Sequence, residues 1–332
     1  MTSPVIPRPV RLHLGPHAAT SGLDVSGVAA SGDVLFLAPD EGASLLRLRR
    51  DGEGWGSPEE VPLDEAVTLP GEPGDEVDAE GLDLVDDALW VVGSHSAKRK
   101  RVKPGTAPAD VQARLARVSG ERSRRLLARL PLREDPDGPR TVPGAGARLP
   151  SGRRGLRARL AGDEHLGPFL DLPGKDNGFD VEGLAVVGGR PVLGLRGPVL
   201  RGWAVLLTLT VHTEGVELVL DGVDKHVVDL DGLGVRDLAR DGDDLLVLAG
   251  PTMVLDGPAR VVRLPGAAAG PLPPAIPREE TEAVAELPVG VGCDRPEGLA
   301  VLPEGLLVLH DTPAAHRLDG ETLVGDLWPP AS

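Results

Sequence analysis

Three glutamates and an arginine recur at one place in a repeated pattern: Glu80, Glu182 and Glu297, each followed by Gly-Leu, and Arg236, followed by Asp-Leu. Carboxylates gathered from separate repeats accept structural hydrogen bonds, hold a cation, or serve as general acids and bases. Arg236 would supply one fixed positive charge among them. A divalent metal, calcium or magnesium, is the other way to relieve their repulsion, with Asp40, Glu41, Glu80, Glu182 and Glu297 as its ligands. Candidates for proton transfer are Glu80, His95, Glu182, Glu297 and His310. Arg196, Arg201 and Arg236, with Lys98 and Arg99 of the basic run Lys98-Arg99-Lys100-Arg101, are candidates to clamp an anion. A guanidinium presents its donors in a planar fork that suits carboxylate or phosphate. Arg196 stands out among them, because Gly194-Leu195-Arg196-Gly197-Pro198 delivers a charge at the end of an apolar run, where it needs a partner.

These residues belong to five copies of one unit, which begin at positions 26, 80, 182, 236 and 297. Each copy is a small or charged residue, Gly-Leu or similar, an apolar pair, a polar turn and a second apolar run. The turns are Ser31-Gly32-Asp33, Asp86-Asp87, Gly188-Gly189, Asp241-Gly242-Asp243 and Pro303-Glu304-Gly305. That is hairpin chemistry. The second runs, such as Val34-Leu35-Phe36-Leu37 and Leu306-Leu307-Val308-Leu309, are apolar at successive positions, which predicts strands buried on both faces. Weaker strands follow at Leu45 to Arg49, Ala113 to Val118, Trp203 to Val211, Val216 to Leu220 and Arg260 to Leu264. Four strands per unit around an axis is the pattern of an all-β β-propeller, with five recognisable blades, or six if a degenerate copy fills the long interval between positions 80 and 182. The expectation is one propeller domain over 1–332, with residues 119–178 as an insertion of loop and helix, the helix spanning Gly155 to Phe169. The strand Val10 to Leu14 would complete the last blade. On that architecture the start of each first strand and the end of each second strand share one channel mouth. Glu80, Glu182, Arg236, Asp237 and Glu297 would meet there with Asp40, Glu41, Ser94, His95, Arg196, Arg201, His310 and Asp311.

Composition agrees with many short strands: 332 residues carry 44 Gly and 33 Pro, and 41% are hydrophobic. The formal net charge of -16 opposes nucleic acid and anionic membranes as partners and leaves a small anionic molecule or a protein. Cys293 is the one cysteine, with no nucleophile motif around it, so no intramolecular disulfide forms. Met1 to Thr20 has no signal-peptide pattern, and the expected location is cytoplasmic. The chain has no Gly-x-Ser-x-Gly elbow, His-Glu-x-x-His, P-loop or dinucleotide fingerprint.

Five segments carry a family likeness: Asp78-Ala79-Glu80-Gly81-Leu82, Gly93-Ser94-His95-Ser96-Ala97-Lys98-Arg99, Asp180-Val181-Glu182-Gly183-Leu184, Gly194-Leu195-Arg196-Gly197-Pro198 and Gly234-Val235-Arg236-Asp237-Leu238. Together they resemble a bacterial family known as a domain of unknown function, DUF3616, grouped with β-propellers. That resemblance implies a fold and no reaction. The Glu-Gly repeats are more distantly similar to esterase-like phytase propellers, a likeness that implies ester or phosphoester hydrolysis. Two functions stay open: binding of a small anionic ligand or partner at the mouth without catalysis, or a metal-assisted hydrolase or lyase acting on a small anion there.

Overall fold

Each copy of the repeat builds four principal strands in the computed structural model, which describes residues 6–20 and 24–330. Residues 1–5, 21–23 and 331–332 of the expected 1–332 domain lie outside the described residues. The first strands are Val25–Ser31, Ala79–Val85, Asp180–Val187, Gly234–Asp241 and Arg295–Leu302. Each turns back into an antiparallel second strand: Val34–Pro39, Ala88–Gly93, Arg190–Gly197, Asp244–Gly250 and Gly305–Asp311. At the Gly188-Gly189 turn both φ angles are positive (55° and 75°), which glycine adopts without cost. The second strands Val34–Pro39 and Ala88–Gly93 are buried at every residue, as their unbroken apolar runs predict.

The β-propeller expectation, with separate blades, needs correction. Only the fourth repeat stands as an isolated four-stranded sheet. The first and fifth repeats are one nine-stranded sheet, because Arg8–His13 pairs antiparallel with Thr322–Trp328 and touches Gly54–Pro62 through a parallel Leu12–Trp55 bridge. The second and third form a ten-stranded sheet, joined through Arg148 and Glu217. Each large sheet curls until its two edge strands lie side by side, Val25–Ser31 with Arg295–Leu302 and Ala79–Val85 with Asp180–Val187, so that both are nearly closed. The five first strands in turn pack against one another in a closed ring, and apolar side chains fill the wedge between every adjacent pair of repeats.

Residues 119–178 differ from the expected loop and helix in two respects. The segment contributes the strand Leu127–Arg133, antiparallel to Ala88–Gly93, and the short strands Arg140–Thr141 and Ala147–Arg148. The strand expected over Ala113 to Val118 is instead the helix Pro108–Leu115, with Pro108 in its first turn, where a fixed φ and a missing N–H suit a helix start. The predicted helix over Gly155 to Phe169 is a short helix, Leu156–Leu160, and a separate 3-10 turn, Gly167–Phe169. Leu156, Leu160 and Leu166 are all buried in one cluster.

Close approach in the ring explains the glycine of the motif. A Cβ at Gly27 would lie 2.3 Å from the carbonyl oxygen of Glu80, and one at Gly81 2.8 Å from that of Glu182. The backbone of the next repeat occupies the place of a side chain. Gly27→Ala should therefore destabilise the fold by about 2–4 kcal/mol, the range of an overpacked core position that cannot relax, measured by urea denaturation.

Candidate functional site

The antiparallel register slips at the same place in all five hairpins. The residues at the slip are Ser26, Glu80, Glu182, Arg236 and Glu297. A β-bulge leaves one residue out of the ladder and re-aims its side chain. Five bulges at equivalent points of a closed ring turn five side chains toward a common mouth. In the fourth repeat Asp237 stands where the others have glycine. Its carboxylate accepts hydrogen bonds from the backbone N–H of Leu238 and of Leu299 on the neighbouring first strand, both at 2.8 Å. Asp237 is a strap between repeats, fully buried, and burial pushes its pKa well up.

Charges at the mouth form a chain. Arg196 pairs with Asp180 at 2.5 Å and Glu182 at 2.6 Å. Glu182 also faces Arg236 at 2.9 Å, and Arg236 reaches on to Glu297. All five are buried or nearly so. Burial, then the nearby carboxylates Glu182 and Asp78, push Asp180 up to about 7, although Arg196 opposes the shift. Asp24 is raised to about 6 by burial and by Asp311. Asp78 is matched by Arg124 at 2.6 Å. Glu80 is different. It is only partly exposed and has no ion-pair or hydrogen-bond partner among the described residues, and burial, with Asp78 and Glu182, raises its pKa well above the usual carboxylate range.

Other expected site residues disperse. Asp40 remains at the mouth, near Asp78 and Asp311, with its pKa raised by burial and by those neighbours. Glu41 is exposed. Lys98 lies 3.9 Å from Glu76, and Arg99 is paired with Asp176 at 2.6 Å. Arg201 is exposed in the turn before Trp203. His95 is buried, with Nε2 3.0 Å from the carbonyl oxygen of Leu126, and burial lowers its pKa to about 4. His310 is buried beside Arg317 and Asp326, and burial and Arg317 lower it likewise to about 4. Among the described residues no three carboxylates, histidines or cysteines gather as metal ligands.

Sequence reasoning missed an outer ring. Asp24, Asp78 and Asp180 stand two residues before the bulge in three repeats, and Arg295 holds the equivalent place in the fifth. The signal was legible as Asp-x-Ser/Glu-Gly in Asp24-Val25-Ser26-Gly27, Asp78-Ala79-Glu80-Gly81 and Asp180-Val181-Glu182-Gly183. Lys175, which also reaches the mouth, had none. A pocket open to solvent lies over the arginine side of the mouth, lined by Lys175, Arg196, Arg236, Arg295 and Glu297 with residues of the loop Pro251 to Gly257.

A family model described as "Protein of unknown function (DUF3616)" matches residues 24–326, a span that holds all five bulges and the outer ring. The chain belongs to this family. The DUF3616 match thus covers the whole candidate site. No protein of curated function matches the chain. Glutaminyl cyclase of Myxococcus xanthus aligns at 12% identity over 98% of this chain and 99% of that one, with a TM-score of 0.46. The PQQ-bound aldose sugar dehydrogenase of Streptomyces coelicolor aligns at 14% identity over 98% and 99%, with a TM-score of 0.40. The apo-form soluble aldose sugar dehydrogenase of Escherichia coli aligns at 13% identity over 97% and 99%, with a TM-score of 0.38. No helix among the described residues is long and apolar enough to cross a membrane.

The unpartnered Glu80 gives a signed pH dependence. Its folded pKa lies above the unfolded value, so the carboxyl costs little while protonated and costs stability as pH rises and it ionises. Glu80→Gln should raise stability, and by more at pH 8 than at pH 5. Urea denaturation of both proteins at the two pH values checks this, and a loss at pH 8 would mean that the ionised Glu80 is stabilised by the arginines.

Proposed function

We propose that the mouth binds a small anion, and that binding without catalysis is the function of this face. One observation carries the reading. Two buried guanidinium groups, Arg196 and Arg236, line an open pocket together with Lys175 and Arg295. Four cationic side chains converging on one opening present the charge and the donors that suit an anion. The alternative of a metal-assisted hydrolase has weaker support: Glu182 and Glu297, two of its five expected ligands, are engaged by the arginines.

Arg196 itself is a poor probe, since removing it strands Asp180 and Glu182 and should cost about 3–5 kcal/mol of stability. Lys175 is exposed and lines the same pocket. Calorimetric titration of the full chain with inorganic phosphate and with acetate should show binding, weakened about three- to tenfold in Lys175→Ala without a change in melting temperature. A ligand oxygen and ionised Asp180 compete for Arg196, so affinity should fall about tenfold between pH 6 and pH 8 as Asp180 loses its proton. Absence of binding by either anion at any pH in this range would overturn the proposal.

A further inference from the structure

The pocket over Arg196 and Arg236 has a second wall of opposite character. Met253, Val254 and Leu255, on the loop after the second strand of the fourth repeat, line it together with Val289, on the loop before the first strand of the fifth. These apolar side chains are 46%, 57%, 61% and 40% exposed, in the order named. Scattered apolar residues on a surface need no explanation, but four around one cavity form a patch of the kind that marks a binding site. The loops are held to each other: the backbone N–H of Gly292 donates to Asp256 Oδ1 at 3.0 Å, and Arg295 lies 4.0 Å from the same carboxylate oxygen. The apolar wall thus belongs to a built edge of the pocket.

Depth separates the two characters. Arg196 and Arg236 are buried at the floor, at 9% and 6% exposure, while the apolar group forms the rim. We infer that the ligand is an amphiphilic monoanion, a carboxylate on a short hydrocarbon tail, whose head meets the arginines and whose tail lies along Met253, Val254, Leu255 and Val289. This deepens the anion reading and rests on it. A simple inorganic anion would leave the rim uncovered, and a wholly apolar ligand would leave the floor without an acceptor. Clefts that bind small molecules combine these elements, mostly apolar walls with a few fixed polar groups that orient the ligand.

The test is a homologous series. The full chain is titrated calorimetrically with inorganic phosphate, acetate, butyrate, hexanoate and octanoate at fixed ionic strength. Burial of one methylene raises an affinity about three- to fourfold, so Kd should fall by that factor per carbon until the tail passes the rim. Leu255→Ser, on an exposed loop, should flatten the dependence on tail length. Equal affinities for acetate and octanoate would overturn the inference and leave the anion reading standing. A dependence on tail length undiminished in Leu255→Ser would also overturn it. Absence of binding by phosphate and by every carboxylate would overturn both. A wild-type chain that binds no carboxylate better than acetate, but self-associates through a Leu255-dependent contact in sedimentation, would assign the rim to a second copy.

Discussion

Asp180, Arg196, Glu182, Arg236 and Glu297 form one unbroken chain of opposite charges, and it crosses three repeats of the ring. Charges taken out of water are costly unless each finds a partner in good geometry, and removing one link leaves its neighbours uncompensated. Glu182 is the central link, with one oxygen on Arg196 of its own repeat and the other facing Arg236 of the next. The mouth is therefore held by an alternation of sign, and the repeats must carry different residues at one equivalent position. A ring with glutamate at every bulge would collect like charges; arginine at the fourth bulge breaks that run. This is why the fourth copy of the motif departs from the others.

The same copy departs at the next residue, and the two departures are connected. Glycine follows the bulge in the other four repeats because a neighbouring strand presses against that position. In the fourth repeat the neighbour is bonded instead of merely abutted, through the Asp237 carboxylate and the N–H of Leu299. A carboxylate there stays fully buried only because two N–H groups point at it. Asp237 is thus structural, although its sequence position beside Arg236 placed it among the site residues. The bulge side chain and the residue after it have opposite tasks, one turned toward the mouth, the other facing the next repeat.

Much of this was legible in the sequence for a physical reason. Hairpin turns and runs of apolar residues are local signals, and a bulge followed by glycine recurs at a fixed offset from them, so Glu80, Glu182, Arg236 and Glu297 could be aligned without coordinates. What escaped were properties that depend on distant partners. The parallel bridges at Leu12–Trp55 and Arg148–Glu217, which merge repeats into two large sheets and so overturn the separate-blade expectation, are single-residue pairings with no period. Strand Leu127–Arg133 was hidden because it follows a long excursion and contains Pro131, which demotes a strand reading from pattern alone. His95 and His310 drew attention as imidazoles near strand ends, but residue type cannot show that each side chain turns inward.

Protonation completes the account of the mouth. His95 and His310 have folded pKa values of about 4, below the ordinary 6.5, so each contributes stability that is present at neutral pH and is lost as pH falls toward 4. Asp180, at about 7, and Asp24, at about 6, act in the other direction: they bind protons in the folded state that the unfolded chain has released, so stability falls as pH rises through their titration. Between about pH 4 and pH 6 the two tendencies oppose each other. Above about pH 7.5 the histidines no longer titrate in either state. Any ligand that draws Arg196 away from Asp180 does so at the cost of leaving that carboxylate either protonated or alone. Protonation of Asp180 on release of Arg196 is the arrangement that avoids leaving that carboxylate as an unpaired buried charge.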